Sequence, residues 1–314
     1  VARVLVTRSL TPSGIDPLLR AGHEVVVHEG DVSLTAAQLA EAAASYDGLV
    51  SQLTDRIDAE VLLAGKGGPL KVVANAAVGY DNIDVATARD LGIAVCNTPG
   101  VLDDTTADLA FLLILAASRA STDAEADLRQ GRWSGWGFTS RLSRDVHGAT
   151  LGLVGFGRIA QAVARRAVGF DMTVLHTARS DTGRPGYVDS LDELLARSDV
   201  VSLHVPLTES TRGLIGAAEL ALMKSTAVLV NTARGPVVDE EALADALEAG
   251  QLYAAGLDVF DGEPSVNPRL LSAPRTVLLP HVGSATIATR TRMAQLACQG
   301  VADVLAGRTP TNQL

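Results

Sequence analysis

Short β-rich runs alternate with helical stretches along most of the chain, and this rhythm constrains the fold more than any other feature. Residues 3–7, 24–28, 48–51, 71–74 and 93–97 read as strands, and 13–21, 35–45, 59–64 and 84–91 as helices. Strands separated by helices imply a parallel sheet with helices on both faces. The rhythm breaks at the turn Asn97-Thr98-Pro99-Gly100, after which a long apolar helix is expected from about Asp104, capped by Asp104 or Thr105. The tract 130–147, with poor periodicity, several glycines and both tryptophans (Trp133 and Trp136), reads as an excursion from the fold. A second α/β series runs from the strand 150–154 to about Pro280. The last helix, from about 285 to 305, is followed by no strand and is expected to pack back onto the first domain. At 314 residues the chain exceeds one ordinary core. The expected division is a domain of residues 1–98 completed by 286–314, and a second of 99–285.

Composition narrows the classes of function. Hydrophobic residues at 47% and charged residues at 20% describe a globular chain. The longest apolar run, 109–117, is too short to span a bilayer. The first ten residues alternate like a strand, without signal-peptide architecture, so a cytoplasmic location is expected. A net charge of −10 argues against nucleic-acid or anionic-membrane partners and requires a local positive site for any acidic substrate. Cys96 and Cys298 lie in apolar surroundings and are expected to be buried free thiols. The six histidines include no i,i+4 pair and no cysteine cluster accompanies them, so no metal site is expected.

Residues 151–160 read LGLVGFGRIA, an apolar strand that enters Gly155-x-Gly157-x-x-Ala160 and then a helix over 159–168. The first glycine permits the tight turn, the second lets backbone N–H groups approach a pyrophosphate, and a small third residue brings helix and strand together. The helix N-terminus, opened by Arg158 and Ile159, adds a positive dipole. Such a turn by itself is weak evidence; the legible strand and helix around it point to a dinucleotide.

Three later segments each place a polar group just past an apolar strand. Residues 227–231 lead to Arg234, 255–259 to Asp261 and Glu263, and 276–279 to His281. In a parallel sheet these strand ends open on one edge, where ligands bind. An arginine holds a carboxylate with two parallel hydrogen bonds, a histidine donates a proton to a carbonyl oxygen, and a glutamate orients that histidine. Each alone also fits a surface ion pair, a solvated turn or a satisfied core histidine. Their joint occurrence downstream of the glycine turn favours chemistry. The loop after 71–74, Asn75-Ala76-Ala77-Val78-Gly79-Tyr80, could present amides to a carboxylate or be an ordinary connection.

Together these segments resemble the D-isomer-specific 2-hydroxyacid dehydrogenases, most closely their glyoxylate/hydroxypyruvate reductase branch. The resemblance covers nearly the whole chain and rests on NAAVGYDNIDV (75–85), TPGVLDDTTADLAFLLILAASR (98–119), LGLVGFGRIAQAVARRAVGFDM (151–172), VVSLHVPLTEST (200–211), VLVNTARGPVVDEEAL (228–243), AAGLDVFDGEP (254–264) and LLPHVGSAT (278–286). It implies two doubly wound parallel-sheet domains, a flavodoxin-like substrate domain and a Rossmann-like nucleotide domain, with the active site in the cleft between them. It implies that Arg234 binds and polarises the substrate, His281 donates the proton and Glu263 pairs with His281. Val78, Gly79 and Ser284 fall at substrate positions. Thr106, His204, Pro206, Thr232, Ala233, Asp258 and Gly283, with Arg234 and His281, fall where relatives line the cofactor. A homodimer joined through the nucleotide domain is implied, and Trp133 and Trp136 resemble a pair whose second member reaches the neighbouring subunit's site, although the residues after Trp136 differ.

The cofactor expectation comes from a departure. Ala178, Arg179 and Ser180 end the second nucleotide-domain strand where NAD-preferring relatives carry an acid. Arg179, with Ser180 or Thr177 and Arg184, suits a 2′-phosphate, so NADP is favoured over NAD. The alternatives are that Arg179 is a solvated loop residue and both cofactors serve equally, or that Asp181 takes the acid's role. The expected reaction reduces a 2-oxo acid to the 2-hydroxy acid. Its rivals are a 3-phosphoglycerate dehydrogenase-like enzyme and a nucleotide-sensing corepressor.

Overall fold

The computed structural model describes residues 1–30 and 32–314. The chain forms two compact units, Val1–Leu102 with Ser284–Leu314, and Asp103–Gly283. The junctions lie within about four residues of those read from sequence.

In the first unit, β1 (Arg3–Val6), β2 (Glu24–Val27), β3 (Gly48–Ser51), β4 (Val72–Asn75) and β5 (Ala94–Cys96) make a five-stranded parallel sheet in the order β2-β1-β3-β4-β5. Strand alternation sends neighbours to opposite faces, so both faces must be covered. Leu5, Leu49 and Val73 pack under helices Ala36–Ser45 and Ala59–Ala64. Val4, Val6, Val50, Val72 and Ala74 pack against Ala297, Cys298, Val301 and Ala302 of the last helix, Ile287–Leu305. The chain's final helix therefore completes the core of its first domain. Helix starts follow the local chemistry: Thr35 forms a capping box with Gln38, and Asp58, Asp84 and Thr286 accept amides at their own helix N-termini. Cys96 and Cys298 are free, and burial pushes both thiols up to about 12.

In the second unit, β6 (Thr150–Val154), β7 (Thr173–Thr177), β8 (Val200–Leu203), β9 (Val228–Asn231), β10 (Ala254–Leu257) and β11 (Thr276–Leu278) make a six-stranded parallel sheet, ordered β11-β10-β9-β8-β6-β7. A single parallel bridge from His176 to Tyr187 lies beyond β7, so the third strand of a dinucleotide fold is reduced here to one residue pair. Strand order reverses between β6 and β8, which puts the ligand-binding switch point at their carboxyl ends. The long helix spans Asp103–Ser118, so Asp104 and Thr105 sit inside its first turn, not at its cap. Residues 130–149 form neither helix nor strand. Asp127 anchors this tract by ion pairs to Arg132 and Arg141, while Trp133, Trp136, Phe138 and Leu142 stand exposed on it. Among the described residues no helix is long and apolar enough to cross a membrane, and no side-chain cluster suits a metal ion.

Candidate active site

The six strands of the second unit end level. Thr177, Val154, Leu203, Asn231, Leu257 and Leu278 are successive register partners, each the last residue of its strand. The loops that follow therefore start in one line along the carboxyl edge. This line contains most of the residues singled out from sequence.

At the switch point, Gly155 has φ +87°, and a Cβ there would lie 2.8 Å from the His204 carbonyl oxygen. Gly157 differs, because a Cβ on it would meet nothing within the protein. It caps helix Arg158–Ala167 without a side-chain contact, leaving first-turn amides open to an anion. Ala160 is fully buried where that helix meets the sheet. Arg158 pairs with Asp103 at 3.2 Å, and Ile159 is half-buried beside it. Burial raises the Asp103 carboxyl, and the nearby Arg158 only partly offsets that. Past β8, His204 lies 2.9 Å through Nε2 from the buried Ser202 hydroxyl, and burial pushes its pKa down to about 4. It is a neutral ring at ordinary pH. Pro206 follows, its carbonyl accepting from the Thr211 hydroxyl at 2.6 Å.

Past β9, the buried Asn231 side chain shapes the loop by accepting from the Ala233 amide (3.0 Å) and donating to the Arg234 carbonyl (2.8 Å). Thr232 Oγ1 is buried without a hydrogen-bond partner, which a bound polar ligand would supply. A Cβ on Gly235 would fall 1.9 Å from the Phe260 carbonyl carbon, so only glycine lets the arginine loop lie against the loop after β10.

Past β10, Asp258 is 2% exposed and its two carboxylate oxygens accept the amides of Val282 and Gly283, each at 2.8 Å. Burial raises its pKa despite those bonds. Its carbonyl also accepts the His281 amide at 2.9 Å. These contacts hold His281 at φ +53°, a left-handed conformation that a non-glycine residue adopts only when its surroundings enforce it. Thr106 sits beside Gly283.

Glu263 and His281 form a direct pair. Glu263 Oε2 lies 2.7 Å from His281 Nδ1, and Oε1 accepts the Phe260 amide at 2.9 Å. Burial pushes the Glu263 carboxyl up, but the His281 hydrogen bond and charge, the Phe260 amide and the Arg234 charge outweigh it, leaving it below its ordinary value. An ionised carboxylate only accepts, so Nδ1 carries the proton and Nε2 is the nitrogen left for chemistry.

Arg179 and Ser180 are exposed past β7, and Arg179 makes no ion pair among the described residues. Asp181 follows, its Oδ1 accepting the Gly183 amide at 2.8 Å. Val78, Gly79 and Ser284 belong to the first unit. There Asn97 Nδ2 donates to the Val78 carbonyl and Asn75 Nδ2 to the Gly79 carbonyl, each at 2.8 Å. Neither the Val78 nor the Gly79 amide donates to any group among the described residues. Sequence reasoning missed Asn75, Asn97 and Asn231 as shaping residues. The available signal was an asparagine at or just past the end of an apolar strand, where a buried amide must find partners.

Residues 111–283 match the family described as D-isomer specific 2-hydroxyacid dehydrogenase, NAD binding domain. The chain is 45% identical over 319 residues to a glyoxylate reductase of Thermococcus onnurineus, covering 98% of this chain and 94% of that protein. The TT0316 protein of Thermus thermophilus is 46% identical, with a TM-score of 0.93 over 99% of each chain. An NADPH-dependent glyoxylate/hydroxypyruvate reductase from Sinorhizobium meliloti, solved with NADP and malonate, is 34% identical, with a TM-score of 0.89 over 100% of this chain and 96% of that one.

Proposed function

Because the chain belongs to the D-isomer specific 2-hydroxyacid dehydrogenases, we propose that it reduces glyoxylate or hydroxypyruvate, with NADPH favoured over NADH. The observation that carries this reading is the Glu263–His281 pair beside the Arg234 loop, on the same sheet edge as the glycine turn. The open approach to Gly157 and the unpartnered Thr232 hydroxyl fit a nicotinamide dinucleotide, with Gly155, Arg158, Ile159, His204, Pro206, Ala233 and Asp258 along the same edge. When bound, that cofactor supplies the hydride.

The protein's own groups do the rest. Arg234 holds the oxo acid and draws electron density toward its carbonyl oxygen. His281 Nε2 gives that oxygen a proton as the carbonyl carbon becomes tetrahedral. Glu263 keeps Nδ1 protonated and the ring turned, and offsets the charge of the imidazolium. The free amides of Val78 and Gly79, with Ser284, are assigned to the substrate on the resemblance. Ala178, Arg179 and Ser180, with no carboxylate at the strand tip, support the NADPH preference. The exposed apolar side chains at Trp133, Trp136, Phe138 and Leu142 support a homodimer.

The test is a kinetic panel of glyoxylate, hydroxypyruvate, pyruvate and phosphohydroxypyruvate with each reduced cofactor. Glyoxylate or hydroxypyruvate should turn over best, and NADPH should have the higher kcat/KM, with Arg179→Ala narrowing its advantage. Preference for phosphohydroxypyruvate would favour the phosphoglycerate enzyme. Cofactor binding without turnover of any oxo acid would favour the nucleotide sensor. A better kcat/KM with NADH, or a ratio unmoved by Arg179→Ala, would overturn the cofactor reading.

A further inference from the structure

We propose that His176 is a positioning residue for cofactor discrimination, tying the glycine turn to the loop that presents Arg179 and Arg184. The inference rests on the reading that this loop meets a 2′-phosphate.

His176 is fully buried in β7, an edge strand of its sheet. Its backbone draws the returning end of the loop inward: its amide donates to the Gly186 carbonyl and its carbonyl accepts the Val188 amide, each at 2.8 Å. The ring lies flat on Phe156, the residue between Gly155 and Gly157, with centroids 3.7 Å apart and planes 19° from parallel. Nε2 lies 2.7 Å from Thr182 Oγ1, whereas Nδ1 is buried without a hydrogen-bond partner. A buried N–H with no acceptor costs more than an idle lone pair, so the proton belongs on Nε2. Nε2–H then donates to the Thr182 hydroxyl, which also accepts the Arg184 amide at 3.3 Å. Burial, and after it the Arg184 charge, lowers the His176 pKa, which keeps the ring neutral.

One ring thus connects the phosphate turn, through a stacked face, to the loop backbone, through a shared hydroxyl. A purely apolar side chain would fill the same space without burying an unpartnered nitrogen. Packing therefore explains the stack on Phe156 but not the choice of histidine. The polar link explains it, because it fixes where the loop's exposed arginines stand relative to the dinucleotide.

The test is calorimetric titration of NADP⁺ and NAD⁺ into the full chain and its variants. His176→Phe keeps the stack and removes the hydrogen bond; Thr182→Val removes the hydroxyl from a surface loop without emptying the core. Each should lower the NADP⁺/NAD⁺ affinity ratio about three- to tenfold, the worth of one neutral hydrogen bond, with NAD⁺ affinity little changed. Thr182→Ser, which retains the hydroxyl, should keep the native ratio. If Arg179→Ala lowers the ratio but His176→Phe and Thr182→Val do not, the positioning role is wrong and the cofactor reading stands. If Thr182→Ser loses as much as Thr182→Val, the hydroxyl is not the link and the inference fails. If no variant moves the ratio, Arg179→Ala included, this loop does not read the phosphate and both fall together.

Discussion

At the scale of single residues, the site depends on which atoms already have partners. Both oxygens of Glu263 are engaged, one by the Phe260 amide and one by His281 Nδ1, and its lowered pKa keeps it charged through the working range. On the proposed mechanism His281 gives the substrate oxygen its proton while Glu263 holds the ring through Nδ1. Glu263→Gln replaces a charged acceptor by a neutral amide, so reductive kcat/KM should fall about tenfold or more, the worth of a charged hydrogen bond. Native kcat/KM in that variant would falsify the pairing. Arg234→Lys keeps the charge but loses the planar fork. It should lower kcat/KM by about one to two orders of magnitude, the worth of a charged hydrogen bond, while leaving dinucleotide affinity near native. Near-native efficiency in that variant would remove Arg234 from the substrate. Arg234, Glu263 and His281 were all legible in sequence, because each follows an apolar strand at the carboxyl edge. Asn75 and Asn97 were not, because their role lies in the carbonyls they hold, and those hydrogen bonds exist only in the folded loop.

At the scale of elements, the turn between β6 and helix Arg158–Ala167 separates folding from binding at two glycines. Gly155 is required by the protein itself, since its φ is positive and a side chain would press on the His204 carbonyl. Gly155→Ala should destabilise the fold by about 1–3 kcal/mol, seen as a lower urea midpoint. Gly157→Ala meets no protein atom, so its urea midpoint should equal the native value. On the proposed cofactor reading the added methyl enters the space of the pyrophosphate, and dinucleotide affinity should fall about tenfold, roughly 1.4 kcal/mol. If Gly157→Ala binds as the native chain does, the pyrophosphate does not approach this turn. The strand–turn–helix pattern was readable in the sequence alone. The distinction between the two glycines was not, because it depends on which atoms from another strand's loop stand opposite each one.

At the scale of the whole molecule, a histidine held neutral in the fold should make stability depend on acid. His204 stays unprotonated in the folded chain down to about pH 4, whereas the unfolded chain binds that proton from about pH 6.5. The unfolded state therefore takes up more protons across this window, and stability should fall as pH drops through it, by at most about 1.4 kcal/mol per pH unit for one group. Glu263 and Asp199, whose pKa values are lowered, contribute stability that is lost only further down, below the ordinary carboxylate range. Urea midpoints between pH 7 and pH 5 should decline in the native chain and decline less in His204→Gln; equal slopes would remove His204 as the cause. The alternation of strands and helices was enough by itself to determine two parallel sheets, because a βα crossover leaves a parallel sheet few other ways to form. The sequence also determined the glycine turn and the polar groups past the strands, since both are local in the chain. Only the tertiary structure decided that six strands end level, that a side chain on Gly155 would press on the His204 carbonyl, and that Asp258 holds His281 in its left-handed turn. Those outcomes depend on register, close approach and burial between segments far apart in sequence, and no local pattern encodes where such segments will meet.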